Sequence, residues 1–145
     1  MTLHSILGAS SLSIYGRCAG SVAAQKQFPD LYCYEAEEGT CAHELGEVAL
    51  LSGLSPTDFI GYEFNNIEVT DTMANYVTEY TNLIRSIPGE RHIEARVSLA
   101  QVHPLLWGTA DAAIFDYDNA KLTVPDLKYG YVKVYADSLQ QKFYG

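Results

Sequence analysis

The chain has 145 residues, 48% hydrophobic and 19% charged, with a net charge of −9; this is one globular domain, large enough to bury a core. No apolar run approaches a membrane span, and the first residues lack a basic region followed by an apolar stretch, so an intracellular, cytoplasmic protein without membrane association is expected. The negative balance excludes broad, non-specific affinity for nucleic acid. Any DNA contact must sit in a small patch, or be helped by a metal and a partner.

Residues 1–8 carry little signal. Ser10-Ser11 can cap a short helix from about Leu12 to Cys18, with Ile14, Tyr15 and Cys18 as inner positions. Cys18-Ala-Gly-Ser21 then breaks it, and Val22–Phe28 forms one more turn before Pro29. Asp30–Ala36 reads as loop or a short extended piece. Cys18, Cys33 and Cys41 are an odd number without CxxC spacing, so neither a disulfide framework nor a zinc site is implied and buried thiols are expected.

The next stretch predicts a helix from about Cys41 to Leu51, with Thr40 as its N-cap and Ser52-Gly53 as its stop. His43 then falls in the first turn, where the helix dipole disfavours its protonated form and leaves it available as a ligand. Glu47 is four residues on, on the same face. Glu35, Glu37, Glu38, Glu44 and Glu47 form an acidic cluster that a metal would explain only in part.

Leu54–Phe64 reads as loop, with a turn at Ser55-Pro56. Thr70 or Asp71 caps a clear helix to about Ile87, in which Met73, Tyr76, Val77, Tyr80, Leu83, Ile84 and Ile87 recur at three and four residues. That stripe is core, and no chemistry is assigned to it. Arg91–Leu99 alternates and predicts a strand with one wet face, antiparallel to the strand that follows.

The segment from Gly108 to Gly130, GTADAAIFDYDNAKLTVPDLKYG, predicts a hairpin. Two β-prone runs, Thr109–Asp116 and Lys121–Lys128, flank a turn centred on Asp118-Asn119, both of which tolerate positive φ. A two- or a four-residue loop gives the same register, which puts Asp111 directly opposite Asp126 with Lys128 on the same face. Like charges facing across a ladder are destabilising. Two carboxylates there offer hard oxygen ligands to Mg²⁺ or Mn²⁺, and a nearby lysine can hold a phosphate oxygen. The other meaning of the pattern is an ordinary solvated hairpin face. Pro125 implies a bulge or an unpaired side just before Asp126. Asp137 can cap a last helix, Ser138–Tyr144, with Gln140 and Tyr144 four apart.

Taken in order, these signals resemble the PD-(D/E)XK nuclease superfamily, in its RecB-like branch, and within it a group of phage and prophage exonuclease-like proteins. The matching residues are Ser10-Ser11, Cys18-Ala-Gly-Ser21, Glu38-Gly-Thr40-Cys-Ala-His43-Glu-Leu-Gly-Glu47, Gly108-Thr-Ala-Asp111, Asp126-Leu-Lys128-Tyr-Gly130, and Gln140 with Tyr144. The resemblance spans nearly the whole chain. It implies an α/β (α+β) fold with a restriction-endonuclease-like core, a three-stranded antiparallel meander flanked by helices. It further implies that His43, Asp111 and Asp126 bind Mg²⁺ or Mn²⁺, with the Leu127 carbonyl as a fourth protein ligand. Lys128 would be the catalytic lysine, Glu47 would orient ligands or a water, and Gln140 and Tyr144 would support the site and contact the nucleic acid. Some relatives hold an iron–sulfur cluster through one early and three late cysteines; only Cys18 could serve here, so no cluster is expected.

The superfamily core usually has one more strand after the last helix, and this chain stops at Gly145. The final core strand is therefore expected to be missing, leaving an open edge or last helix for self-association, for the N-terminal segment, or for a phage recombination partner. Two functions follow: a metal-dependent deoxyribonuclease, or a catalytically inactive nuclease-fold protein acting as a partner-binding subunit or acidic decoy.

Overall fold

The computed structural model describes residues 5, 7–28, 33–130 and 138–144. Its longest element is the helix α3, Tyr34–Ser52, which follows two short helices, α1 (Leu12–Tyr15) and α2 (Ser21–Gln25). Glu35 and Glu37 in the first turn suit the positive end of the helix dipole. Gly53 ends it in the left-handed conformation, its N–H bonded to the Ala49 carbonyl.

This corrects the expected start at Cys41. The helix begins seven residues earlier, and Thr40 lies inside it, its hydroxyl donating to the Ala36 carbonyl. Glutamates and Ala36 are good helix formers, and they carry the helix back through the stretch read as extended. His43 is therefore near mid-helix rather than in the first turn, too far from the helix start for the dipole to disfavour its protonated form. Of the three thiols expected to be buried, Cys41 is, whereas Cys18 and Cys33 are exposed. The helix read to Cys18 ends at Tyr15, and Ile14 is 48% exposed, because so short an element has no sheltered face.

The stretch read as loop after α3 holds more order than expected. Ser55 and Asp58 close a capping box over a 3-10 turn, Pro56–Phe59. A two-stranded ribbon follows, β1 (Glu63–Phe64) with β2 (Ile67–Glu68). Asn65 and Asn66 turn it with φ of 52° and 60°, the conformation asparagine accepts most readily among residues with a side chain. The helix α4, Asp71–Ser86, is capped by Thr70 through the Met73 N–H, as expected. Met73, Val77 and Ile84 of its stripe are buried, but Tyr76 and Leu83 are about half exposed.

The main sheet is an antiparallel meander in the order β3 (Glu90–Ser98), β4 (Trp107–Asp116), β5 (Lys121–Thr123). The hairpin has the expected register, Ile114 facing Thr123 and Asp116 facing Lys121. Its loop is the four-residue form, with positive φ at Ala120 and with Asp116 accepting from Asn119. The second strand is shorter than expected. It stops at Thr123, ahead of Pro125, which has no N–H to give. The ladder therefore does not reach the Asp111–Asp126 pair.

The helix α5, Leu139–Tyr144, packs against the N-terminal 3-10 turn Ala9–Ser11. Gly108 makes room for both: a Cβ there would lie 3.1 Å from the Ala9 Cβ and 3.3 Å from the Tyr144 hydroxyl. The proposed Asp137 cap lies outside the described residues. One apolar cluster joins α3, α4, the ribbon and Leu127; a second joins β4, α5 and Ala9; a third joins α4 and the sheet. No helix among the described residues is long and apolar enough to cross a membrane.

Candidate active site

Residues far apart in sequence meet where α3, β4, α5 and the segment after β5 come together. His43 Nδ1 lies 3.2 Å from Asp111 Oδ1, and the other oxygen of Asp111 accepts the Leu127 N–H at 2.7 Å. Asp126, its side chain only 8% exposed, meets Lys128 Nζ at 2.6 Å and accepts from Gln140 Nε2 at 2.9 Å. The Tyr144 hydroxyl donates to the Thr109 carbonyl at 2.7 Å.

Packing fixes these positions. Leu127 is 3% exposed and belongs to the α3–α4 core, which anchors the acid before it and the lysine after it. From α4, the Tyr76 hydroxyl donates to the Lys128 carbonyl, and its ring meets Tyr129 edge-on. Asp111 and Asp126 thus share a neighbourhood without facing each other across a ladder. The Leu127 amide stands where the register had put the second carboxylate.

Beside these groups lies a cleft of about 660 Å³, whose wall includes His43, Glu47, Glu94, Asp111, Gln140 and Tyr144. Glu94 has no counterpart in the sequence-derived site. It sits mid-strand at the position across from Asp111, between the pairs Ile93–Ala112 and Ala95–Ala110, with φ of 52°. A non-glycine residue in that conformation inside a strand is unusual and costs about 1 kcal/mol or more. Sequence alternation identifies Glu94 as a wet-face residue but carries no sign of the backbone twist.

The family model described as "Protein of unknown function (DUF2800)" matches residues 4–145. The chain belongs to the DUF2800 family. No solved structure matches it.

Excess negative charge marks the site of this DUF2800 chain. Burial raises the Asp126 carboxyl above its ordinary value, and the Asp111 charge adds to this; Lys128 offsets it only in part. Burial and the charges of Glu47 and Asp111 push Glu94 up to about 7. For His43, burial works against the charged form, but the hydrogen bond and charge of Asp111 outweigh it and leave the imidazole more basic than usual. Burial, with Asp126 and Asp111 nearby, pushes the Tyr144 phenol up to about 12. The Tyr80 phenol is pushed up by burial and by Asp111 and Asp126, and its hydroxyl is buried without a hydrogen-bond partner among the described residues. Tyr80 was legible only as a member of the α4 stripe.

Carboxylate oxygens suit Mg²⁺ or Mn²⁺, and a cation would offset the share of the rise at Asp126 and Glu94 that neighbouring charges add to burial. Among the described residues, no three histidine, cysteine or acidic groups converge closely enough to enclose an ion. His43 is engaged by Asp111, and Asp126 by Lys128 and Gln140. Chemically, the arrangement offers two acids with shifted or paired carboxyl groups, one ammonium at their edge, and an adjoining cleft.

Proposed function

We propose that this DUF2800 protein is a metal-dependent nuclease that hydrolyses phosphodiester bonds of DNA, on a RecB-like PD-(D/E)XK core. The observation that carries the reading is the cluster itself. His43, Asp111, Asp126, Lys128 and Gln140 come from four separate parts of the chain, yet they are joined pairwise by contacts of 2.6–3.2 Å. The resemblance in motif order supports the same assignment.

In this reading His43, Asp111, Asp126 and the Leu127 carbonyl would hold Mg²⁺ or Mn²⁺. The ion would supply an activated water and offset the charge growing on the phosphate. Lys128 stabilises the pentacovalent transition state through its ammonium, which sits on a side chain 39% exposed and would exchange its contact with Asp126 for one with a phosphate oxygen. Gln140 holds Asp126 in orientation, and Tyr144, by pinning the Thr109 carbonyl, fixes β4 on the side of Asp111. Glu47, in the cleft wall, orients a ligand or a water. The reading includes no iron–sulfur cluster. It places the protein in the bacterial cytoplasm, in phage recombination or DNA processing. It also allows pairing of copies or a recombination partner through a sheet edge or the last helix, since among the described residues β3 and β5 each have a strand neighbour on one side only.

One observation favours the non-catalytic alternative, a partner-binding subunit or acidic decoy. The paired acids already have internal partners, and the chain carries −9 overall. Incubation of the purified protein with linear and circular DNA and Mg²⁺ or Mn²⁺ decides between the two. Degradation that a chelator abolishes is the expected result. Intact DNA, together with no heat of metal binding by calorimetry, would leave only the non-catalytic reading.

A further inference from the structure

The strand pair that carries Asp111 bears a second feature, at the β3–β4 end nearer Trp107. Trp107 is the chain's only tryptophan. It pairs with Ser98 at the end of the ladder, and Arg96 pairs with Thr109 beside it. The Arg96 guanidinium carbon lies 4.3 Å from the centre of the Trp107 ring. Trp107 is half-buried and contributes to the cleft wall alongside His43, Glu47 and Asp111, whereas Arg96 is exposed and does not line the cleft. The guanidinium thus stacks on an indole that itself reaches the cleft.

Two other arginines are spent differently. Arg85 donates to the Ala49 and Leu54 carbonyls, and Arg91 donates to the carbonyls of Ile84, Arg85 and Ile87 at the end of α4. Lys128 is taken by Asp126. Arg96 makes no hydrogen bond or ion pair with any described residue, in a protein whose net charge is −9. A free guanidinium backed by an indole combines a cation for a phosphate with a flat surface for a base. Two residues of strand separate Thr109 from Asp111 and four separate Trp107 from it, about 7 and 13 Å. That places the pair within reach of a nucleotide flanking a phosphodiester held at Asp111.

We propose that Trp107, backed by Arg96, is a stacking platform for an unpaired base, with Arg96 attracting the neighbouring phosphate. The inference rests on the nuclease reading and narrows its substrate to single-stranded DNA or DNA with a frayed end, because a base in an intact duplex has no free face to offer. Base stacking on an aromatic side chain tolerates any sequence.

Since Trp107 is the only indole, its emission reports the platform directly. The experiment titrates an end-labelled thymidine oligonucleotide into the protein with Ca²⁺ in place of Mg²⁺, following label anisotropy and tryptophan emission together. Both signals are expected to change with the same midpoint. Trp107→Ala is expected to weaken binding roughly tenfold, Trp107→Phe much less, and Arg96→Ala to lower the salt dependence by about one phosphate contact. Blunt duplex of the same length is expected to bind more weakly. Rising anisotropy with unchanged emission would overturn the platform and leave the nuclease reading intact. No rise in anisotropy with the oligonucleotide would overturn the platform, and no rise with the duplex either would overturn the nuclease reading as well.

Discussion

Lys128 Nζ sits 2.6 Å from Asp126 Oδ2, two residues back along the same segment, and the buried Leu127 between them holds the pair in place. The carboxyl is nevertheless harder to ionise than an ordinary one, because burial and Asp111 outweigh the lysine. The two residues should therefore respond differently to substitution. Lys128→Ala leaves a buried acid without its cation and should cost about 1–2 kcal/mol of stability at neutral pH. It should spare metal binding and lower cleavage about a hundredfold or more. Asp126→Asn keeps an acceptor for Gln140 and removes a repulsion, so the metal-free protein should stay within about 1 kcal/mol of the parent. Stabilisation by Mn²⁺ and cleavage should both disappear. Thermal melts with and without Mn²⁺, beside a cleavage assay, check both; an Asp126→Asn protein that still gains stability from Mn²⁺ would remove Asp126 from the ligand set.

Stability should fall as pH rises across the neutral range. Asp126, Glu94 and His43 all hold their protons more tightly in the folded chain, Glu94 up to about 7. Each stabilises fully below its unfolded value and loses that contribution as pH passes its folded value. The window runs from about pH 4 to just above pH 7. Because Glu94 and His43 are partly solvated, the combined effect should be on the order of 1–2 kcal/mol. The metal-free protein should melt lower at pH 8 than at pH 5, and Mn²⁺ should narrow the difference. A metal-free Tm that climbs steadily from pH 5 to 8 would contradict this account of the site's charge.

Glu94 should be removable with a gain. Glu94→Asn places a residue suited to φ of 52° at that point and deletes a charge facing Glu47 and Asp111. The variant should be about 1 kcal/mol more stable at pH 8, and less so at pH 5, where Glu94 is already protonated. Glu94→Gln removes only the charge. Equal gains from both variants in denaturant titrations would mean that the backbone at this position is not strained.

His43→Ala should weaken Mn²⁺ binding while leaving the secondary structure and the chemical denaturation midpoint close to the parent's. His43 is about one-third exposed, so its loss opens little of the core. Calorimetric metal titrations indistinguishable between variant and parent would reduce His43 to a partner that orients Asp111.

The helix α4, the meander and the hairpin register were legible in the sequence because they rest on local rules. Thr70 caps the helix, apolar residues recur at three and four, and a loop of fixed length sets which residues face one another. His43, Glu47, Asp111, Asp126, Lys128, Gln140 and Tyr144 could be singled out one by one from spacing and motif order. Other features needed the third dimension. The early start of α3 took His43 out of the first turn. Pro125 stopped β5 short, so the Leu127 amide, rather than Asp126, became the direct partner of Asp111. The left-handed twist at Glu94, the stranded hydroxyl of Tyr80 and the stacking of Arg96 on Trp107 have no local signature. Periodicity and capping depend on neighbours a few residues away, which a sequence displays. Ion pairs, burial and pKa shifts depend on neighbours tens of residues away, and packing alone decides which of them meet.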